Sequence, residues 1–341
     1  MRIKWPSQEQ VLYAVNVIWQ RLFYRRIPNK FQVKSILVVK LDEIGDMVCA
    51  TAVFEQLKLQ FPSAQLSVLC KPFVKPLIAN DPNIDHIICE VSKWQKRYDV
   101  VIELRGTWHT WLKSIRHCPQ IRLSRANVRW RNRGQQLHEY QTNALSVIDL
   151  FQGQVMDTQP KLYWSNQDEV AVQSWLQKHI TKNMVVLHAG ARKSLRQWGV
   201  NRFAQLADWL IQEKGFQVVW IGSSDEQSVI ENIQTQMTQM SWQVCGQFSL
   251  SETACLLSKA SLYVGNESGP LQMAAALKVP LVGLFGPGVP NVFYPQHDTA
   301  RVLHIVLPCN PCDQMHCQFP ESPCIQRISF ESVKQAINDI L

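Results

Sequence analysis

Short apolar runs and amphipathic stretches alternate along most of this chain. In the first half, the apolar run 35–40 is predicted to be a buried strand, followed by a Gly-containing loop at 41–46 and a helix over about 47–60. Further strands are predicted at 66–70, 86–89, 99–104 and 121–123, with a closing helix at 135–151. This alternation predicts a parallel sheet with helices on both faces.

The same alternation resumes after a stretch rich in turn-forming residues at 152–166. Strands are predicted at 184–188, 217–221, 260–264 and 280–285, and helices at 201–214, 226–236, 251–258 and 271–277. We therefore expect a linker, domains at 35–160 and 167–328, and a last helix at 329–341. Two doubly wound domains predict a ligand in a cleft between the carboxyl ends of their strands.

The stretch 264–277 is predicted to form a strand end, a tight polar turn and a helix. Backbone amides at Ser268, Gly269 and Leu271 would lie at the helix N-terminus, where they and the helix dipole favour a phosphate. Gly269 permits close approach of a ligand, and Pro270 suits the first helical turn because it has no N–H to lose. An ordinary capped turn is the alternative interpretation.

Residues 8–26 have the spacing of an amphipathic helix that ends in a basic cluster. Its apolar stripe consists of Val11, Val15, Ile18 and Leu22, flanked by Trp19 and Phe23. Two interpretations are open: this N-terminal extension, residues 1–34, lies on an anionic bilayer through its helix, or the helix packs on the body of the protein.

The net charge of +8 is unevenly distributed along the chain. Residues 1–34 hold seven Lys/Arg and one acid, and residues 105–133 hold eight Lys/Arg and no acid, so the remainder is net negative. This split predicts a polyanionic partner for one half: an anionic membrane surface, a phosphorylated glycolipid or a nucleic acid. Solvated basic faces are the alternative interpretation of both segments.

The 341 residues contain no apolar run of membrane-spanning length, and the first residues do not resemble a cleavable signal peptide. Several of the ten Cys stand alone in apolar strands, which is typical of reduced core thiols rather than of a secreted disulfide framework. We therefore expect a cytoplasmic protein.

Five short motifs, in order along the chain, resemble those of one enzyme family. They are Lys40-x-Asp42-x-Ile44-Gly45-Asp46-Met47-Val48, His188-Ala189-Gly190-Ala191, Arg196-Gln197-Trp198, Asn266-Glu267-Ser268-Gly269-Pro270-Leu271-Gln272-x-Ala274 and Leu284-Phe285-Gly286-Pro287. Together they resemble glycosyltransferase family 9, the bacterial lipopolysaccharide heptosyltransferases and their relatives. The resemblance covers roughly residues 35–330 and leaves out the N-terminal helix.

The resemblance implies an α/β protein with the GT-B fold, in which two Rossmann-like doubly wound domains face a central cleft. It also implies that the C-terminal helix, here residues 329–341, crosses back to the first domain. It implies an inverting, metal-independent transfer from a nucleotide-sugar donor, which is ADP-heptose in the best-known members. The family's proposed general base corresponds to Asp46, and Gly45 and Arg105 are implied on the acceptor side. A carboxylate at Asp46 suits this role because it can take the proton of an attacking hydroxyl, whereas a simple helix cap is the alternative interpretation.

The same resemblance implies a donor site in the second domain. Arg196 is expected to neutralise the diphosphate leaving group, which an Arg can bind through two parallel hydrogen bonds. Glu226 resembles the carboxylate that holds the nucleotide ribose, although a Glu at a helix start has an electrostatic explanation of its own. The other expected donor-binding residues are Gly190, Glu267, Ser268, Gly269, Gln272 and Gly286.

Two positions depart from the family pattern, which usually has Asp at position 267 and His at position 272. Glu267 keeps the negative charge but moves it by one methylene, and Gln272 carries no positive charge toward a phosphate or sugar. The identity of the donor sugar therefore stays open, as does an altered activity.

The C-terminal region contains a group of cysteines whose spacing is compatible with zinc. They are Cys309, Cys312, Cys317 and Cys324, with His316 among them. We favour reduced thiols that pack a loop over structural zinc or a labile disulfide, and we expect no metal or other cofactor in the reaction.

We therefore expect a glycosyltransferase that moves a heptose from ADP-heptose onto an anionic lipopolysaccharide-core or related glycolipid acceptor, peripheral to the cytoplasmic face of the inner membrane. The alternatives are the same fold with a UDP- or GDP-hexose donor, and a non-catalytic nucleotide- or carbohydrate-binding protein. A nucleic-acid partner is not favoured because the basic stretch lacks a recognition motif. A dehydrogenase is disfavoured because the loop after the first strand has no G-x-G-x-x-G.

Overall fold

The computed structural model describes residues 11, 14, 15, 18, 32–151, 157–312, 314 and 316–341. The chain divides into two compact units between Pro160 and Lys161. Each unit is built around one parallel sheet whose strands are mostly buried.

The first unit carries strands β1 to β5 and helices α1 to α6. The strands are β1 (Ser35–Lys40), β2 (Gln65–Cys70), β3 (His86–Ile88), β4 (Val100–Arg105) and β5 (Ile121–Ser124). The helices are α1 (Ile44–Val48), α2 (Thr51–Gln60), α3 (Lys75–Ile78), α4 (Trp108–His117), α5 (Arg125–Arg131) and α6 (Glu139–Leu145). The strands form a parallel sheet in the order β3-β2-β1-β4-β5, so β1 lies at its centre.

The central strand β1 ends in a charged residue, Lys40, at the edge of the sheet formed by the carboxyl ends of its strands. Its apolar residues 36–39 are buried, which the continuous apolar pattern of a two-sided parallel sheet predicts. The register with β4 shifts by one residue after Val39, so that Lys40 lies opposite Arg105. The Arg105 carbonyl then accepts the Leu41 N–H at 2.9 Å, which holds the two strand ends together.

The second unit carries strands β6 to β11 and helices α7 to α13. The strands are β6 (Met184–His188), β7 (Gln217–Trp220), β8 (Trp242–Gln243), β9 (Leu262–Asn266), β10 (Leu281–Phe285) and β11 (Ala300–His304). The helices are α7 (Asn166–His179), α8 (Val200–Gln212), α9 (Gln227–Gln236), α10 (Leu250–Ser258), α11 (Gly269–Ala276), α12 (Pro290–Phe293) and α13 (Phe330–Asn338). The sheet order β11-β10-β9-β6-β7-β8 is that of a Rossmann fold.

The last helix, α13, is part of the second unit. Val333, Ala336 and Ile337 join a buried apolar cluster that also contains Trp198 and Leu210. The apolar face of this helix is therefore buried in the second unit. The expected crossing of residues 329–341 to the first domain stays a prediction.

Several elements differ from their predicted bounds. The helix expected over 47–60 is interrupted at residues 49–50, and the helix expected over 135–151 begins only at Glu139 because His138 is its N-cap. Helix α7 and strands β8 and β11 were missed. The two-residue β8 is too short to show a pattern, and charged and polar side chains at Arg301 and His304 interrupt the apolar run of β11.

Most of the predicted N-terminal helix over residues 8–26 lies outside the described residues. The four that are described (Val11, Ala14, Val15 and Ile18) are helical. Within the described part of the chain, no helix is both long enough and apolar enough to cross a membrane.

Candidate active site

The predicted site residues gather where each sheet changes its direction of winding. This point lies between β1 and β4 in the first sheet and between β6 and β9 in the second. Loops leave a doubly wound sheet in opposite directions at such a point, which opens a crevice at the carboxyl ends of the strands.

Asp46 lies in α1, directly after the loop that follows β1. This helix begins with Glu43 as its N-cap, so the alternative that Asp46 merely caps the helix is wrong. Met47 and Val48 are buried and anchor the short helix on the unit's core. The Gly45 carbonyl accepts the Cys49 N–H at 3.1 Å. Gly45 is expected to contact the acceptor substrate, and this role stays a prediction.

A group of five charged side chains, the charge cluster, lies beside α1. Lys40 Nζ lies 3.1 Å from Asp42 Oδ2 and 3.3 Å from Glu139 Oε1. Arg125 Nη2 donates to Glu139 Oε2 at 2.6 Å, and Arg105 Nε lies 3.4 Å from Asp42 Oδ1. Lys40 and Glu139 are fully buried, so the loss of one partner would leave the other as an uncompensated buried charge.

The environment of Asp46 makes its carboxylate a better proton acceptor than an exposed Asp. Burial and the neighbouring Asp42 carboxylate raise the pKa of Asp46 to about 6, Glu139 adds to the rise, and the Lys40 and Arg125 cations oppose it. A carboxylate with this pKa is ionised at neutral pH yet more basic than usual, as a general base requires.

Sequence analysis missed much of the charge cluster. Lys40 and Asp42 were quoted only as motif positions, and Arg125 and Glu139 were not identified at all. A Lys at the end of an apolar strand signals a buried counter-charge, but its Glu139 partner is 99 residues away. Arg105 was expected on the acceptor side; a third of its side chain is exposed, and its role stays a prediction.

In the second unit, the Glu226 carboxylate folds back over the loop that follows β6. Its Oε2 accepts the Ser223 N–H at 2.8 Å and the Ser223 hydroxyl at 3.1 Å, and lies 3.4 Å from His188 Nε2. Burial alone would raise the pKa of Glu226, but hydrogen bonding and attraction by His188, together with the Ser223 bonds, lower it to about 2. Glu226 is therefore an ionised acceptor, which suits the hydroxyls of a ribose.

Gly190 lies directly against this carboxylate. A Cβ at Gly190 would overlap Glu226 Oε1 and Cδ and would lie 3.1 Å from Cγ. The backbone of Gly190 is not left-handed, so the close approach of Glu226 is what requires glycine here. The structure thus brings these two predicted donor residues together, and their binding roles stay predictions.

Ser268 is the N-cap residue of α11, but its side chain does not cap the helix. Its side chain makes no capping hydrogen bond to the helix; the hydroxyl lies 3.1 Å from His188 Nδ1 and donates to the Asn266 carbonyl at 3.0 Å. The first amides of α11, beginning at Gly269, are thus left uncapped by Ser268, which suits an anion better than an ordinary capped turn. His188, which was not among the predicted site residues, contacts both Ser268 and Glu226.

The Glu267 carboxylate is buried and points under the turn after β10. Arg196 Nη1 lies 3.5 Å from Glu267 Oε1, the Gly288 N–H donates to the carboxylate, and a Cβ on Gly288 would overlap it. Burial raises the pKa of Glu267, while Arg196 and the Gly288 N–H oppose the rise. The predicted residues Arg196 and Glu267 are therefore brought together, and Arg196 Nε is also held by Gln314 Oε1 at 2.8 Å.

The remaining predicted donor residues have mainly structural contacts. Gln272 is buried, and its Nε2 donates to the Phe293 carbonyl at 2.6 Å, which ties α11 to α12. A Cβ on Gly286 would lie 3.0 Å from the Leu195 carbonyl, so glycine lets this turn approach the Arg196 loop closely. Binding roles for Gln272 and Gly286 stay predictions.

Asn266 is a further organiser of the second site that sequence analysis did not single out. Its fully buried amide donates to the Ala189 carbonyl at 2.7 Å and accepts the Trp198 N–H at 3.2 Å. One side chain thus joins the loop after β6 to the segment that carries Arg196. A polar residue at the end of a buried strand was the signal that could have identified it.

The C-terminal cysteines line a cavity of about 400 Å³ in the second unit. All ten cysteines lie within the described residues, and none forms a disulfide. Cys324 is buried, while Cys309, Cys312 and Cys317 are partly exposed. Among the described residues, no three or more His, Cys, Asp or Glu side chains are arranged to hold a metal ion. The zinc alternative therefore gains no support from these residues.

Comparison with known proteins identifies the family. Residues 94–322 match the family model described as glycosyltransferase family 9 (heptosyltransferase). This chain belongs to glycosyltransferase family 9. The match covers more than half of the chain and confirms the family predicted from the motifs.

Individual relatives are distant but similar in length and fold. The lipooligosaccharide heptosyltransferase 2 of Haemophilus ducreyi is 24% identical over 313 residues, which cover 80% of this chain and 89% of that relative. A family 9 glycosyltransferase of Veillonella parvula matches in structure with a TM-score of 0.77 at 20% identity and covers 92% of this chain and 99% of its own. The ADP-heptose LPS heptosyltransferase II of Escherichia coli has a TM-score of 0.72 at 21% identity, with 90% and 98% covered. These structures confirm the GT-B fold.

Membership of family 9 makes this protein an enzyme of the glycosyltransferase class, as predicted.

Proposed function

We propose that this protein is an inverting, metal-independent glycosyltransferase that transfers a heptose from ADP-heptose to a lipopolysaccharide-core or related anionic glycolipid. The observation that carries the proposal is Asp46, whose pKa of about 6 suits a general base, in a member of a heptosyltransferase family. A structural relative named as an ADP-heptose LPS heptosyltransferase supports this choice of donor.

The contacts of the second unit support donor binding there. The ionised Glu226 carboxylate accepts hydrogen bonds from the ribose hydroxyls. The first amides of α11 and the Arg196 guanidinium bind the diphosphate, because both present N–H donors and positive charge.

The transfer is a single displacement at the anomeric carbon. The acceptor hydroxyl oxygen attacks that carbon on the face opposite the diphosphate, and its proton passes to Asp46. The bond between the anomeric carbon and the phosphate oxygen breaks, and ADP leaves with the electron pair, so the configuration is inverted. Arg196 and the α11 amides stabilise the negative charge that develops on the diphosphate in the transition state.

A transfer assay with Asp46→Asn tests the reaction and the base together. With ADP-heptose and a lipid A–Kdo acceptor, mass spectrometry is expected to show the added heptose for the native chain and a loss of about 100-fold or more in kcat for Asp46→Asn. Glu43→Gln is the matched control, because this partly exposed carboxylate at the start of the same helix pairs with Lys71, whose side chain is also partly exposed. Equal activity of Asp46→Asn and the native chain would refute the role of Asp46.

Metal independence is tested with a chelator. Because the proposed charge stabilisation comes from Arg196 and backbone amides, dialysis against EDTA is expected to leave kcat unchanged. A loss of activity restored by one divalent cation would contradict this part of the proposal.

A second candidate function is the same transfer from a UDP- or GDP-hexose. Two departures from the family pattern leave this donor class open: the Gln272 amide, which donates to the Phe293 carbonyl, brings no positive charge, and the Glu267 carboxylate lies under the turn at Gly288. A panel of nucleotide sugars distinguishes the donors by product mass. Nucleotide binding without turnover of any donor would instead indicate a non-catalytic binding protein.

We also propose that the protein acts in the cytoplasm, peripheral to the inner membrane, because residues 1–34 and 105–133 concentrate its positive charge. Sedimentation with vesicles that contain anionic lipid, but not with neutral vesicles, is the expected result. Equal partition to both would argue against electrostatic attachment.

A further inference from the structure

Glu139 is a buried carboxylate that the transfer step does not use. It is the first residue of α6 and is fully buried. Its Oε1 accepts Lys40 Nζ at 3.3 Å, and its Oε2 accepts Arg125 Nη2 at 2.6 Å. Away from water its charge is weakly screened, so it acts strongly on neighbouring groups.

Helix α6 is fixed to the helix that carries Asp46. Asn143, also on α6, donates from Nδ2 to the carbonyl of Cys49 at 2.9 Å, and Cys49 is the C-cap of α1. Glu139 and Asp46 therefore lie on helices that are joined by a buried hydrogen bond, and the position of Glu139 relative to α1 is well defined.

We propose that Glu139 is a positioning residue that holds the Lys40 and Arg125 cations as partners of its own and so keeps them from neutralising the Asp46 carboxylate. The inference rests on the proposed role of Asp46 as the base. It assigns to α6 a part in the reaction that no motif of the family resemblance contains.

The balance of charges around the site supports this inference. The charged and titratable groups that act on Asp46 or Glu139 are Lys40 from β1, Asp42 from the following loop, Cys49 from the end of α1, and Arg125 and Arg129 from α5. Arg105 from β4 faces Asp42. With Glu139 present, Lys40 and Arg125 each have a carboxylate partner. Without it, both cations are left with Asp42 and Asp46 alone.

Each neighbouring charge shifts the pKa of Asp46 in the direction that this inference requires. Glu139 raises the pKa of Asp46, whereas Lys40 and Arg125 lower it. Removal of the Glu139 charge should therefore lower the pKa of Asp46 for two reasons. The repulsion between the two carboxylates is lost, and Lys40 and Arg125 lose a competing partner. A lower pKa makes Asp46 a weaker base, so both the pH profile and the maximal rate should change.

The test is the pH dependence of kcat/KM in Glu139→Gln, which keeps the size and the acceptor oxygen of the side chain. The acid limb is expected to move to lower pH by about half a unit or more, with a lower plateau, whereas Glu139→Asp keeps the native midpoint. Arg125→Gln is expected to move the limb to higher pH. The exposed Glu90→Gln, which removes a carboxylate of the same unit at the surface, is expected to leave the profile unchanged.

Titration of the Asp46 carboxyl by carbon-13 NMR gives the same comparison without turnover, so failure of the proposed reaction and failure of this inference are distinguishable. A lower Asp46 pKa in Glu139→Gln supports the inference even if another donor is used. An unchanged or higher Asp46 pKa would overturn it, as would a fall in kcat with no movement of the acid limb. If Glu139→Gln does not fold, Arg125→Gln is the test. A lower pKa of Asp46 in that variant would overturn the inference.

Discussion

The contact between Gly190 and Glu226 predicts a specific effect of a single methyl group. In Gly190→Ala the new Cβ would overlap the Glu226 carboxyl and crowd Cγ at 3.1 Å, so rotation of the last bond cannot relieve the contact and the whole carboxyl must move. Movement breaks at least one of the three hydrogen bonds that Oε2 accepts from His188 and Ser223. A hydrogen bond to a charged group contributes about 1.5 to 3 kcal/mol, so we expect the free energy of unfolding to fall by about 2 to 4 kcal/mol.

Two measurements and one second variant check this value. Urea unfolding gives the change in the free energy of unfolding. Calorimetric titration with ADP gives the change in affinity, which should fall because the displaced Glu226 carboxylate no longer meets the ribose hydroxyls. In a Glu226→Ala background the obstruction is gone, so adding Gly190→Ala should then change stability by less than about 0.5 kcal/mol. A cost of Gly190→Ala that is the same in both backgrounds would refute the reasoning.

Three further predictions follow from the same contacts. Asp46 must be ionised to accept a proton, and its pKa is about 6. We therefore expect kcat/KM to rise with pH through about 6 and to lie roughly tenfold below its plateau at pH 5. A flat profile between pH 5 and 7 would contradict this. Arg196→Gln should lower kcat/KM for the donor by about 10- to 100-fold, whereas Arg202→Gln should behave like the native chain in steady-state kinetics. Asn266→Ala removes the buried hydrogen bonds to the Ala189 carbonyl and the Trp198 N–H. The free energy of unfolding in urea should fall by about 2 to 4 kcal/mol. A fall below about 1 kcal/mol would show that water replaces the amide.

The strands of both sheets were largely predictable from the sequence, because buried parallel strands are continuous apolar runs. The predicted strand 35–40 matches β1 in the structure, and 184–188 matches β6. Helix ends were less predictable, because they depend on single capping contacts such as that of His138 with the Tyr140 N–H. Strand β11 and helix α7 lack a strong apolar pattern, and both were missed.

The candidate site was predictable only where motifs follow a strand. Asp46, Arg196, Glu226 and Ser268 were identified in this way, as was Glu267, the partner of Arg196. Arg125 and Glu139, which lie near Asp46, were not. Glu139 is far from Lys40 in sequence and stands next to a long basic stretch, so no local periodicity links it to Asp46. Long-range pairs of this kind arise from tertiary packing, and a single sequence contains no signal for them.

The ion pair between Lys40 and Glu139 has a consequence for how the first unit folds. It joins residues 99 positions apart, and Asn143 on the same helix reaches back 94 positions to the Cys49 carbonyl. A partly folded chain in which α6 has not docked leaves the Lys40 ammonium without one of its two carboxylates in a closely packed interior. Such an intermediate is disfavoured, so the central strand and the helix 99 residues away should become protected from hydrogen exchange together, as one cooperative unit.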